Sequence, residues 1–182
     1  DDPQTQFEKA KALYYGDFGF EEDEEQALTL IKGLAAKDFV PAIMLLGKWT
    51  LEGLCGLDEN QEAGFNLLSK AGHLGDLEAW LEIANCLQYG LGTEESPEEA
   101  FRILKNKEGQ SKELKREYGT ALLEGKGTDT NVQEGLKFLH DAASEGDNKA
   151  RRYLAVYLID NEPSAEDVRV ITGHLEAAAA ED

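Results

Sequence analysis

A pattern of small and apolar residues recurs along this chain at a nearly fixed step, and no other feature limits the possible folds so strongly. Counting from Ala79, a small residue stands at plus five (Ala84), an apolar one at plus eight (Leu87), a glycine at plus eleven (Gly90) and an alanine at plus twenty-one (Ala100). Ala42 begins another series, with Gly47, Thr50, Gly53 and Ala63. Leu114 begins a further one, with Gly119, Leu122, Gly125 and Gly135, and Ala150 the last, with Ala155, Leu158, Asn161 and Ile171. A looser first copy starts at Thr5 and gives Ala10, Leu13 and Gly16, with Ala27 one residue late. The starts at 5, 42, 79, 114 and 150 are separated by 37, 37, 35 and 36 residues. Steps of this length belong to helical arrays, in which each unit is a helix pair that cannot bury its apolar face alone.

Each copy reads as two helices. In the first, Phe7, Ala10, Leu13 and Tyr14 lie on one helical face and Gly16 ends it. Asp23 and Gln26 then form a capping-box pair that starts a second helix, to about Ala36, with the stripe Ala27, Ile31, Ala35. Later copies offer Asp58 with Gln61, Ser96 with Pro97 and Glu99, and Thr130 with Gln133 as the corresponding starts. Their stripes are Ala63, Leu67, Ala71; Ala100, Leu104; Gly135, Leu139, Ala143; and Ile171, Leu175, Ala179. The third is interrupted by Glu108 and Gly109, which predicts a short helix and a weak seam there. The plus-eleven residues are Gly16, Gly53, Gly90, Gly125 and Asn161. Glycine adopts the left-handed conformation freely and asparagine tolerates it, so all five are expected to be helix stops.

Composition narrows the class of partner. Thirty-seven acidic residues against 18 basic ones give a formal charge of −19, which repels phosphate backbones and anionic headgroups, so neither nucleic acid nor membrane insertion is expected. Two cysteines, Cys55 in a turn and Cys86 in a helix, are too few for a disulfide framework and are expected to be free thiols. His73, His140 and His174 are scattered over different copies, without metal-ligand spacing. Paired carboxylates such as Asp58–Glu59 and Glu94–Glu95 stand near helix starts, where exposed amides favour negative charge. No catalytic residue, cofactor or metal is therefore assigned.

Leu46-Gly47, Tyr118-Gly119, Gly90-Leu91-Gly92, Gly125-Lys126-Gly127, Ala35-Ala36 and Ala142-Ala143 are similar to the motifs of the Sel-one-like repeat family, relatives of the tetratricopeptide repeat. The resemblance covers nearly the whole chain. It implies an all-α fold, a right-handed α-solenoid of about five antiparallel helix pairs in one repeat domain, 1–182, with copies near 5–41, 42–78, 79–113, 114–149 and 150–182. It also implies a non-enzymatic protein-binding role, as a bacterial adaptor or regulator placed in the periplasm or secreted rather than in the cytoplasm. Two alternatives accompany it: an immunity protein neutralising a toxin, and a hydrolase of a β-lactam or peptidoglycan-like substrate. The hydrolase needs an activated nucleophile, for which no sequence context is found.

The same resemblance implies that plus-two, plus-six, plus-nine and plus-ten of each first helix face a concave groove. Plus-six gives Lys11, Lys48, Asn85, Thr120 and Val156; plus-ten gives Tyr15, Glu52, Tyr89, Glu124 and Asp160; plus-two gives Phe7, Met44, Leu81, Arg116 and Arg152. Lys11, Tyr15, Lys48, Glu52, Asn85, Tyr89, Arg116, Thr120, Glu124 and Arg152 are the candidate contacts for a protein partner, with a basic protein or a toxin as the kind that the charge favours. Packing between copies competes for Phe7, Met44 and Leu81, and core packing is expected of Trp49 and Trp80. A basic island, Arg102, Lys105, Lys107, Lys112, Lys115 and Arg116, stands out from the acidic background and is expected to be a solvated helix face.

Overall fold

The computed structural model describes residues 2–161 together with 169, 172, 173, 176 and 179. Among them are nine helices and no strand: α1 (Pro3–Tyr15), α2 (Glu24–Ala35), α3 (Val40–Glu52), α4 (Gln61–His73), α5 (Leu77–Tyr89), α6 (Pro97–Lys107), α7 (Lys112–Glu124), α8 (Val132–Ser144) and α9 (Asn148–Asp160). Of the expected second helix of the fifth copy, Ile171, Leu175 and His174 lie outside the described residues; Arg169, Thr172, Gly173, Glu176 and Ala179 are helical and exposed, so Ala179 is not on a buried stripe. The chain forms two compact units, Asp1–Ser96 and Pro97–Asp182, so the division falls inside the third copy, just before α6. At 11 residues α6 is the shortest of the nine helices, ending at Lys107 before the interrupted stripe.

One backbone device recurs between the two helices of a copy. The plus-eleven glycines all end their helices in the left-handed region, with φ of 67° at Gly16 and Gly53, 68° at Gly90 and 69° at Gly125. A few residues later the chain turns back and an N–H bonds to the plus-eight carbonyl: Asp23 to Leu13 at 2.9 Å, Asn60 to Thr50 at 2.8 Å, Ser96 to Leu87 at 2.7 Å and Asn131 to Leu122 at 2.8 Å. Three of these four residues also cap the next helix with their side chains, Asp23 accepting from Gln26, Asn60 from Ala63 and Asn131 from Glu134. The caps of α4 and α8 are therefore Asn60 and Asn131, not Asp58 and Thr130. Any of these short polar side chains can cap a helix, and the tie to plus-eight selects among them. Asn161 departs as well: its φ is −108°, outside the left-handed region, and its Nδ2 donates to the Tyr157 carbonyl at 2.7 Å.

Close helix approach within a copy rests on small residues. In α2, Ala27, Ile31 and Ala35 are buried as expected. In α4 the buried face is Gly64, Leu68 and Ala71 rather than one built on Ala63 and Leu67, because the longer copy shifts it by one residue. A Cβ on Gly64 would stand 2.7 Å from the backbone of Leu51, and one on Gly135 2.8 Å from Leu123 Cγ, so a larger residue would push apart α3 and α4 or α7 and α8. Leu51 and Leu123 are plus-nine residues and are buried. That position packs on the copy's own second helix in these two copies, instead of facing a groove.

The core of the first unit runs from Ala10 and Leu13 through Ile31, Leu34, Ile43 and Trp49 to Ala71 and Ala79. In the second unit Leu123, Leu139, Ala142, Ala143, Ala150 and Leu154 pack together. Trp49 is fully core, with the Tyr14 ring 4.8 Å away, whereas Trp80 is half-buried over Gly72 and the His73 ring. His73 is exposed, with its Nδ1 2.7 Å from the Ser69 carbonyl and its ring against Trp80.

Candidate functional site

The plus-ten position ends every first helix one residue before its stop, and it is exposed in all five copies: Tyr15, Glu52, Tyr89, Glu124 and Asp160. Two are tyrosines on the first unit, Tyr15 with 64% and Tyr89 with 57% of its surface exposed. The left-handed glycine that follows fixes where each one stands. Tyr15 also lies edge-on against Tyr14, whose other neighbour is the buried Trp49, so an exposed ring is backed by a rigid aromatic chain. An exposed aromatic held in place loses little conformational entropy on binding and is of the residue type that dominates protein interfaces.

At plus-six, Asn85 is exposed and Thr120 half-buried. Lys11 pairs with Glu8 at 2.9 Å over the Phe7 ring. Lys48 is committed within the fold: from α3 it reaches Glu82 at 2.9 Å and Glu78 at 3.4 Å on α5. Burial works to lower its pKa, but the bonds to Glu82 and Glu78 outweigh it and hold the ammonium above its usual range. At plus-two, Phe7 and Met44 pack against the core, which settles their role as packing between copies; Leu81 is half-buried and Arg152 exposed. Arg116 has 12% of its side chain exposed and bonds to Asp147 at 2.5 Å and Glu117 at 2.9 Å. Contacts within the fold therefore claim a lysine, through α5, and an arginine, through the α8–α9 turn, as well as apolar residues.

The basic island divides in two: Arg102 and Lys105 on α6 are exposed, as a solvated face requires, while its α7 cations are tied into the fold. Lys112 Nζ donates to the Gly146 carbonyl at 2.9 Å, Lys115 pairs with Glu145 and Arg116 with Asp147, three consecutive residues of the α8–α9 turn. Arg102 pairs with Glu99 within α6. Lys112, Lys115 and Arg116, half of the island, thus tie α7 to the α8–α9 turn. Arg151, which the repeat pattern did not single out, is buried and donates to the Ala143 carbonyl at 3.1 Å and to Asn148 at 2.6 Å.

On plus-ten of α7, Glu124 accepts from the Tyr153 hydroxyl at 2.7 Å and from Lys126 at 2.6 Å. Burial acts to raise the Glu124 pKa, and the bonds from Lys126 and Tyr153 overcome it and hold the carboxyl below its usual range. Burial and the same bond push the Tyr153 phenol up. Both cysteines are free, as expected, and both are buried. Burial, helped by Glu24 and Glu82 respectively, pushes the thiols of Cys55 and Cys86 up to about 11, the reverse of what a nucleophile needs.

The turn after the first helix of each of the first four copies holds a feature that sequence reasoning passed over. Two residues beyond the stop stand Phe18, Cys55, Gly92 and Gly127, all at positive φ: 54°, 56°, 70° and 69°. In the later copies this plus-thirteen residue lies on the first residue of the preceding copy's second helix. A Cβ on Gly92 would come within 2.0 Å of the Gln61 carbonyl oxygen, one on Gly127 within 2.0 Å of that of Pro97, and Cys55 Sγ donates to the Glu24 carbonyl at 3.2 Å. The signal was in the repeat itself: the second glycine of each Gly-x-Gly pair aligns with a cysteine and a phenylalanine in the first two copies.

A Sel1 repeat model matches residues 4–32, 40–76, 79–105 and 116–147, more than half of the chain, which therefore belongs to the Sel1 repeat family. Such repeats are generally protein–protein interaction modules and typically non-catalytic scaffolds. The Sel1 repeat protein from Oxalobacter formigenes has a similar structure, with a TM-score of 0.83 and 18% identity over 100% of this chain and 74% of that one. So does a protective antigen of uropathogenic Escherichia coli strains displaying an SLR fold, with a TM-score of 0.78 and 18% identity over 99% of this chain and 38% of the antigen. The fold is thus all-α and of the repeat-solenoid class. No curated protein matches the sequence. No described helix is long and apolar enough to cross a membrane.

Proposed function

We propose that this protein is a non-enzymatic binding module, an adaptor or regulator, that takes a protein partner on its first-helix faces. Tyr15, Glu52, Asn85 and Tyr89 serve as contacts on the first unit, and Thr120, Glu124 and Arg152 on the second. Lys11, Lys48 and Arg116 shape the same faces, with their charge already shared with carboxylates of the chain. The observation that carries this reading is the pair of exposed tyrosines at one repeat position, each seated beside a rigid helix stop. The charge of −19 favours a basic partner, a toxin bound by an immunity protein being one such case. The hydrolase reading has no support in the thiols, whose environment disfavours the thiolate.

The test is the affinity of a partner isolated from the native source. Tyr15→Ser with Tyr89→Ser should weaken binding by about 2 kcal/mol or more, the scale of an interface anchor. Lys32→Ala with Asn66→Ala, exposed changes on α2 and α4, should leave it nearly unchanged. Equal losses from both pairs would count against the first-helix faces.

A further inference from the structure

The turn between α1 and α2 departs from the repeat in one respect that is chemical rather than structural. At plus-thirteen, where Gly92 and Gly127 lie on the backbone of a neighbouring copy and Cys55 bonds to one, Phe18 stands with 93% of its surface exposed. Phe20, two residues on and joined to the turn by its N–H bond to the Asp17 carbonyl at 3.0 Å, is 41% exposed, and Tyr15 flanks the turn. Three of the exposed large hydrophobic residues thus fall within six positions of the sequence, a closer run than any other among the described residues. The position itself marks a docking point, because the same register makes the contact between copies elsewhere in the chain.

What covers this point is limited by two observations. A second copy of this chain stacked in the register seen at Gly92 would bring a backbone carbonyl to where the Phe18 side chain begins, so that register, closer than the one Cys55 accommodates, is closed to it. Charge selects another occupant. No lysine, arginine or histidine occurs between Lys11 and Lys32, while Asp17, Glu21, Glu22, Glu24 and Glu25 are exposed around the aromatic rings. Apolar anchors rimmed by carboxylates match an apolar segment rimmed by cations.

We propose that the α1–α2 turn is a second docking surface, which takes a basic protein segment bearing apolar side chains. Phe18 and Phe20 insert among the apolar groups, and Asp17, Glu21 and Glu22 pair with its lysines or arginines. The proposal rests on the reading of this chain as a protein-binding module and adds a surface distinct from Asn85 and Tyr89.

A synthetic amphipathic peptide of lysine and leucine, titrated into the isotopically labelled full chain, tests it. The amides of residues 16–23 should shift, and Phe18→Asn with Phe20→Ser should weaken binding about thirtyfold, the loss of a typical anchor. Asparagine tolerates the left-handed backbone, so the thermal unfolding of that variant should match wild type or exceed it. Glu21→Gln with Glu22→Gln should flatten the salt dependence of binding. A peptide with serine in place of leucine should bind far more weakly, and Tyr89→Ser should change affinity less than about twofold.

Absence of binding, equal binding of the serine peptide, or an unchanged affinity in the phenylalanine variant would overturn the proposal. So would Phe18-dependent binding to phosphatidylcholine vesicles in place of the peptide. Loss of the peptide in Tyr89→Ser alone would move the contact to the first-helix face, sinking the turn site while leaving the wider protein-binding reading in place.

Discussion

Arg116 on α7 donates to Asp147 at 2.5 Å while the other carboxylate oxygen of Asp147 accepts from the Ala150 amide at 2.8 Å, so one buried carboxylate both caps α9 and joins it to the preceding first helix. Only 3% of the Asp147 side chain is exposed, and losing one member of such a pair leaves the other charge buried. Asp147→Ala should destabilise the second unit by about 3 kcal/mol or more, since it removes a cap as well as a pair. Arg116→Met should cost less than the sum, and a double-mutant cycle by urea unfolding should return a coupling of about 1 kcal/mol or more. Faster hydrogen exchange at the Ala150 and Arg151 amides in Asp147→Ala, but much less so in Arg116→Met, would separate the cap from the pair.

The two glycines of each Gly-x-Gly turn should differ in their sensitivity to a methyl group. At Gly90 an added Cβ meets Glu95 Cβ at 3.4 Å, so alanine incurs mainly the left-handed penalty of about 1–2 kcal/mol. At Gly92 and Gly127 the same atom would collide with backbone at 2.0 Å, so the neighbouring helix start must move. Gly92→Ala and Gly127→Ala should each cost at least about 1 kcal/mol more than Gly90→Ala in chemical unfolding. Equal costs at all three would mean that the turn does not brace the copies.

Much of this was legible in the sequence because it is local. A helix stop at plus-eleven needs a left-handed residue, and four glycines announce it; the buried stripe of α2 likewise follows from spacing alone. The caps at Asn60 and Asn131 were misplaced because Asp58, Asn60, Thr130 and Asn131 are all competent, and the choice is made by a hydrogen bond to a carbonyl in the preceding helix. Lys48, Lys115 and Arg116 were harder still. Their partners lie about thirty residues away and are set by how copies stack, which residue type alone does not reveal. Phe18 was visible as a misfit in the alignment, but its meaning needed the contact that Gly92 makes.

Stability should respond to pH at both ends through Tyr153 and Glu124. The Glu124 pKa is lower folded than unfolded, so its contribution is present above the unfolded carboxylate range near 4.3 and is lost as pH falls through the folded value. The Tyr153 pKa is raised, so its contribution is present below about 10 and is lost as pH rises through the folded value. Tyr153→Phe should therefore destabilise at neutral pH by less than about 1 kcal/mol, given the partial exposure of Glu124, and the deficit should shrink at both extremes. Thermal unfolding from pH 3 to pH 11 measures it, and a deficit independent of pH would contradict the assignment.

Both thiols should be slow to react in the folded protein. With pKa values near 11 and side chains almost wholly covered, Cys55 and Cys86 should resist a disulfide reagent at pH 8 by a factor of roughly a hundred or more relative to the urea-unfolded chain. Reaction of one thiol at the unfolded rate would show that its surroundings open without global unfolding.

Site-directed photo-crosslinking in the native source tests the central claim most directly. A benzophenone side chain at Tyr89 extends an aromatic ring that is already exposed and, as a matched control, stands at Asn66 on the exposed face of α4. The account predicts a discrete adduct with one protein from position 89, which disappears when Tyr15→Ser is added, and none of comparable yield from position 66. An adduct formed from position 66 and absent from position 89 would contradict it.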